Sequence, residues 1–182
     1  MSQFWDFALE SYRRPGVAAL CIAVRDRYGA DVMLLLYCCW RANCGIRLDI
    51  GDIRLAIHHV TPLQLHLITP LRAARRALRA AAGKIKSIEL TSTAERIQQS
   101  ELRGERLQAR ALEKIHKEDQ QSGQSGQSGQ SGQSGQSGQS GQRNLASDAL
   151  MLYLKIIGVD AENAVQSSVQ LAHDYIPIAV SA

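Results

Sequence analysis

Apolar residues recur along most of the chain at intervals of three and four, the spacing that lines one side of an α-helix. After Ser2, a helix-capping residue type, Trp5, Ala8, Leu9 and Tyr12 fall at i, i+3, i+4 and i+7, and Arg13 and Arg14 suit the negative end of the helix dipole. Pro15-Gly16 breaks this pattern and opens a second stripe of Val17, Leu20, Cys21, Val24 and Tyr28, which Gly29 stops. Asp31 then caps a run from Val32 to Trp40 that is apolar on every side, so this third helix is expected to be the buried hub. Beyond Gly45, Asp49 and Asp52 form a capping pair, and Ile50, Ile53, Ile57 and Val60 carry a fourth stripe. Thr61-Pro62 reads as the start of a fifth helix, with Leu63, Leu67, Leu71, Ala74 and Leu78 as its core side. Pro70 would kink this helix, which should end near Ala82.

Residues 87–120 favour helix but are polar, and their apolar positions keep no steady period. A helix projecting into solvent, or packed by one weak edge, is the expectation. Ser122 to Gln142 are seven copies of Ser-Gly-Gln with no apolar residue, a composition for flexible coil. Helical spacing returns with Leu145, Ala149, Leu152, Tyr153 and Ile156. Gly158 and Asp160 then separate these from a last stripe of Val165, Val169, Ala172 and Ile176. No stretch alternates with period two between hairpin turns. The pattern predicts an all-α fold, a single globular domain of about eight helices. Residues 1–86 form the helical core, 87–120 a projecting polar helix, 121–143 a disordered repeat linker, and 144–182 a C-terminal helical hairpin docked on the core.

Composition narrows the class. Hydrophobic residues make up 45% of the chain, which fits a folded domain and excludes general disorder. The longest apolar run is about half the length that a membrane helix needs, and residues 1–10 do not read as a secretory signal, so a cytoplasmic location is expected. Cys21, Cys38, Cys39 and Cys44 sit in or beside apolar segments and read as reduced thiols. The net charge of +4 is uneven: residues 1–90 hold 13 Lys/Arg against 7 Asp/Glu, whereas residues 121–182 hold 2 against 4. A basic excess of this kind favours polyanions or acidic protein faces.

Several stretches carry a likeness. Phe4-Trp5-Asp6-Phe7-Ala8-Leu9, Tyr12, Pro15-Gly16-Val17, Cys21, Asp26 to Leu36, Tyr37-Cys38 and Trp40 resemble the opening of a proteobacterial family of short helical proteins, domain of unknown function 2390. Pro70 to Leu78 resembles the middle of that family, and the tail around Leu152-Tyr153-Leu154 and Ile157-Gly158 is a looser match. The resemblance implies a helical fold and a lineage for roughly residues 2–82, and no activity.

The candidate chemistry centres on Arg72, Arg75, Arg76 and Arg79, at i, i+3, i+4 and i+7, followed by Lys84 and Lys86. Four guanidinium groups on one helix side repel each other and are shaped for carboxylate or phosphate. The leading expectation is a docking or adaptor protein, not an enzyme, that binds an acidic protein or ribonucleoprotein through these arginines. The simpler reading is a solvated face, or internal pairing with Asp26, Asp31 or Asp49. No aromatic residue interleaves with the arginines, so base stacking is unsupported. The alternative expectation is a small-ligand or cofactor binder with a pocket beside the 31–44 helix, holding Cys38, Cys39 and the histidines. His58, His59 and His66 lack the paired spacing of a zinc site with the cysteines, so neither metal nor cofactor is expected. Asp26 and Asp31 flank the Gly29 turn and read as capping and ion-pairing groups rather than an acid–base pair. Phe4, Trp5, Phe7 and Tyr12 read as core, with more aromatic surface than one helix side can bury.

Overall fold

The computed structural model describes residues 2–123 and 138–175, which are almost entirely helical and contain no strand. In chain order the helices are α1 (Gln3–Tyr12), α2 (Val17–Tyr28), α3 (Val32–Asn43), α4 (Ile50–Leu63), a π-helical turn (Gln64–Ile68), α5 (Thr69–Ile85), α6 (Ile88–Gly123), α7 (Gly138–Ile156) and α8 (Ala161–Tyr175). The caps follow the sequence. Ser2 Oγ accepts from Trp5 N–H, Asp31 Oδ1 accepts from Met33 N–H at 2.8 Å, and Asp49 and Asp52 form a reciprocal capping box. Gly29 supplies the left-handed residue (φ 70°) that lets the chain turn from α2 toward α3.

The hub is α3. Every residue from Met33 to Ala42 is buried, and α1, α2, α6, α7 and α8 pack around it. Phe4 of α1 packs edge-on against Tyr37 and tilted against Trp40, with ring centroids 5.7 and 5.3 Å away. The buried side of α1 is therefore Phe4, Ala8 and Ser11 rather than the expected Trp5, Ala8, Leu9 and Tyr12, because α1 is rotated to put Phe4 on the aromatic pair of α3. The α7–α8 hairpin closes the opposite side with Ala149, Leu150, Tyr153, Leu154 and Leu171, and Ala172 is buried with them. The side chains of Val165, Val169 and Ile176 lie outside the described residues.

The region 50–85 departs from expectation. No new helix starts at Pro62. Thr61 Oγ1 donates back to Ile57 O at 2.7 Å instead of capping, and Pro62 lies inside α4. Between the two prolines the chain widens into the π turn, where Thr69 N–H reaches Gln64 O five residues back. A widened turn accommodates proline rings that would otherwise clash with the carbonyl four residues earlier. α5 then runs on to Ile85, past the expected end near Ala82. It is capped by Lys86 in the left-handed conformation (φ 50°).

α6 does not project alone. Its N-terminal half pairs with α5 as a two-helix arm. Its C-terminal half enters the core, where Ala109, Leu112 and Ile115 are buried. Gly104 marks the crossing: a Cβ there would stand 3.1 Å from Ile68 and 3.2 Å from Leu67. α5 itself packs on α6 and the π turn and makes at most marginal contact with other helices. The expected 121–143 coil has helical ends, residues 121–123 continuing α6 and 138–143 opening α7. The middle of the repeat, 124–137, lies outside the described residues.

Candidate functional site

The arginine row sits on α5, but half of it turns inward. Arg72 Nε donates to Glu101 Oε1 at 2.8 Å, and Arg72 Nη2 donates to Glu105 Oε1 at 3.1 Å. Arg75 Nε donates to Glu101 Oε2 at 2.7 Å, with a longer second bond from Nη2 to Oε1. Arg79 Nη2 donates to Gln98 Oε1 at 2.6 Å, and Arg76 is exposed with no ion pair among the described residues. Of the four arginines expected to bind a partner, Arg72 and Arg75 are thus turned inward to α6. Internal pairing does occur, but with Glu101 and Glu105 of α6 and not with the aspartates: Asp26 pairs with Arg25, Asp31 caps α3 and Asp49 caps α4. The polar run 87–120 carries inward-facing polar positions where Glu101 and Glu105 meet Arg72 and Arg75, while Ala94 in its arm half is also buried.

At the root of the arm, α1, α2, α3, α5 and α6 surround a cleft of about 410 Å³. Its apolar wall is made by Trp5 and Leu9 of α1 and by Val32, Met33 and Leu36 of α3; these α1 side chains are the stripe that the rotation of the helix leaves out of the core. Asp31, Glu101, Glu105, Gln108, Arg72 and Arg75 make the polar wall. Gln108 is buried, and its Nε2 donates to Asp31 Oδ2, while its Oε1 has no hydrogen-bond partner among the described residues. The hydroxyl of Tyr153, from α7, accepts from Asp31 N–H at 2.7 Å and ties the C-terminal hairpin to this corner.

The charges here are perturbed. Burial raises the Asp31 carboxyl above its ordinary value, against hydrogen bonds from Gln108 and Met33 and the charge of Arg72. Burial also raises Glu105, against the attraction of Arg72. Burial would raise Glu101 too, but hydrogen bonds from Arg75 and Arg72 and their charges outweigh it and hold Glu101 below the usual glutamate value.

The other sequence candidates lie elsewhere. Cys38 and Cys39 are buried in the hub, and burial pushes the Cys38 thiol up to about 12. Such thiols are inert as nucleophiles or ligands. Cys21 is buried and Cys44 exposed. His58, His59 and His66 are exposed on α4 and the π turn. None of these cysteines or histidines lines the cleft, so a pocket beside α3 exists without the residues expected in it. Among the described residues no three His, Cys, Asp or Glu side chains converge as a metal site. The cleft glutamates and Gln108 were missed from sequence. Their signal is a polar side on α6, Gln98, Glu101, Glu105 and Gln108, at the spacing that matches the arginines of α5.

The model of the family described as "Protein of unknown function (DUF2390)" matches residues 3–112, and the chain belongs to that family. The match takes in α1 through α5 and most of α6, and with them every residue of the cleft. No curated protein and no solved structure matches the chain. Among the described residues no helix is long and apolar enough to cross a membrane.

Proposed function

We propose that this chain is a non-enzymatic docking protein whose α5–α6 arm engages an acidic protein surface. The observation that carries this reading is the charge left on the arm after its internal pairing. Residues 69–105 contain eight Lys/Arg against four Asp/Glu, and Glu101 and Glu105 are taken up by Arg72 and Arg75. Arg76, Arg79, Lys84 and Lys86 remain exposed. Arg72 and Arg75 thus hold the arm together, and the partner-binding role moves to the outer cations. At the tip, Ile85 and Ile88 are 69% and 85% exposed, which adds apolar contact beside the positive charge. The arm has no aromatic residue on which a base could stack, so protein is favoured over RNA.

The test is capture from native extract with lysine cross-linking, comparing the parent chain with Arg79→Glu/Lys84→Glu. An acidic protein should cross-link at Lys86, survive ribonuclease treatment, weaken with added salt and be lost in the variant. Undiminished recovery by a folded variant contradicts the reading. Loss of the partner on ribonuclease treatment replaces it with a ribonucleoprotein.

A further inference from the structure

The cleft at the root of the arm leaves apolar surface uncovered. Ten large apolar side chains are exposed among the described residues, and four of them, Leu9, Tyr12, Ile22 and Leu102, line this one cleft. They come from three helices, α1, α2 and α6, and are between 36% and 43% exposed. Single exposed leucines are ordinary, but apolar side chains gathered from separate helices around one cavity mark a surface that something covers. On α1 the stripe of Trp5, Leu9 and Tyr12 is apolar although the rotation of the helix leaves it out of the core. Met33 and Leu36 of α3, both buried, extend this surface inward. The volume of about 410 Å³ is that of a small-molecule site.

Charge selects the head group. Four arginines line the cleft, Arg25, Arg72, Arg75 and Arg76, against three carboxylates, Asp31, Glu101 and Glu105. Arg72 and Arg75 are bound to Glu101 and Glu105, Asp31 is taken up by the α3 cap and Gln108, and Arg25 is paired with Asp26 outside the cleft. Arg76 is left, exposed at the rim with no ion pair among the described residues. Its planar guanidinium fits a carboxylate through two parallel hydrogen bonds, and a carboxylate at the rim avoids the cost of full burial. A cation would meet an excess of arginine and carboxylates that are already bound.

The geometry points to a binding site for a small organic monocarboxylate, with the carboxylate accepting from Arg76 and an apolar body lying between α1 and α3. One unpaired cation matches one negative charge, which favours a carboxylate over a phosphate monoester. The site draws on Arg76 alone of the exposed row, so it does not depend on docking through Arg79, Lys84 and Lys86.

The experiment is calorimetric titration of the whole chain with 4-phenylbutyrate, 4-phenylbutanol and 4-phenylbutylamine, which share one body and differ in the head. The carboxylate should bind about tenfold more tightly than the alcohol, as one charge-assisted pair predicts, and the amine more weakly than both. Arg76→Gln should weaken the carboxylate about tenfold and leave the alcohol nearly unchanged. Lys84→Gln, which removes the same charge about two turns further along α5, should leave both unchanged. Leu9→Gln should weaken carboxylate and alcohol alike, because it removes apolar contact with the shared body. All three positions are exposed, so the variants should keep the fold. The proposal is overturned if the amine binds as well as the carboxylate, if Arg76→Gln does no more than Lys84→Gln, or if Leu9→Gln leaves both affinities unchanged. It is overturned equally if none of the three probes binds, which would give the uncovered side chains to a protein partner.

Discussion

The hub helix α3 and the α5–α6 arm are both regular helix, yet different forces hold them. α3 is surrounded by five other helices and buries every side chain from Met33 to Ala42. α5 buries only Ala82 and meets α6 through arginine–glutamate pairs. Hydrophobic burial is non-directional and dense at the hub. The arm adds a few directional, charge-assisted bonds to a thin apolar seam that buries Ala82 and Ala94, and such bonds fix register more than they supply stability. A region held in this way can keep a charged, partly apolar outer surface, because little of its stability depends on hiding it.

Substitutions should separate the two. Leu35→Ala in the hub should cost about 3 kcal/mol in denaturant unfolding, since Leu35 is fully buried and the cavity cannot drain to solvent. The same truncation at the half-buried Leu78 of the arm should cost about 1 kcal/mol or less. Equal losses would mean that the arm is part of the core.

Next in size is Glu101→Gln. It leaves Arg75 without a carboxylate and Arg72 with Glu105 alone, at positions largely shielded from water. A loss of about 2 kcal/mol is expected in the same measurement. Tyr153→Phe should cost about 1 kcal/mol by removing the acceptor for Asp31 N–H, at a site otherwise unchanged in shape.

The pH profile gives a finer contrast. Asp31 and Glu105 are raised, so the folded state binds protons more readily than the unfolded chain. Their contribution is present below the ordinary carboxylate range and is lost as pH rises through the folded values. Glu101 is lowered, so its contribution is present above its ordinary value and is lost as pH falls through the folded one. Asp31→Asn should therefore reduce the fall in stability as pH rises from about 4. Glu101→Gln should reduce the loss below about pH 4. Thermal melts across this range check both. The smallest effect belongs to Arg79→Glu/Lys84→Glu, whose exposed side chains should change stability by about 0.5 kcal/mol or less.

The hub was legible because its signal is local: nine consecutive apolar residues admit only a central helix. Capping at Ser2, Asp31 and Asp49 was legible for the same reason. The rotation of α1 was not, because Phe4 competes with Trp5 for the core and the ring pair on α3 decides the outcome. The proline segment misled because one proline reads as a helix start, whereas two prolines eight residues apart here bracket a π turn. The arginines of the candidate site were legible as a row. Their partners were not: Glu101 and Glu105 lie about thirty residues away in a stretch whose lack of apolar period reads as solvated. The cleft was foreseen only as a pocket beside α3, since its walls come from five separate helices.

Native-state hydrogen exchange tests the contrast between hub and arm most directly. The amides of α3 should exchange only through global unfolding, at the full free energy of stability. Those of α5 and of residues 88–100 should open locally at a clearly lower free energy, and Glu101→Gln should lower it further without moving the exchange of α3. Equal protection in hub and arm, shifted together by Glu101→Gln, would contradict the account.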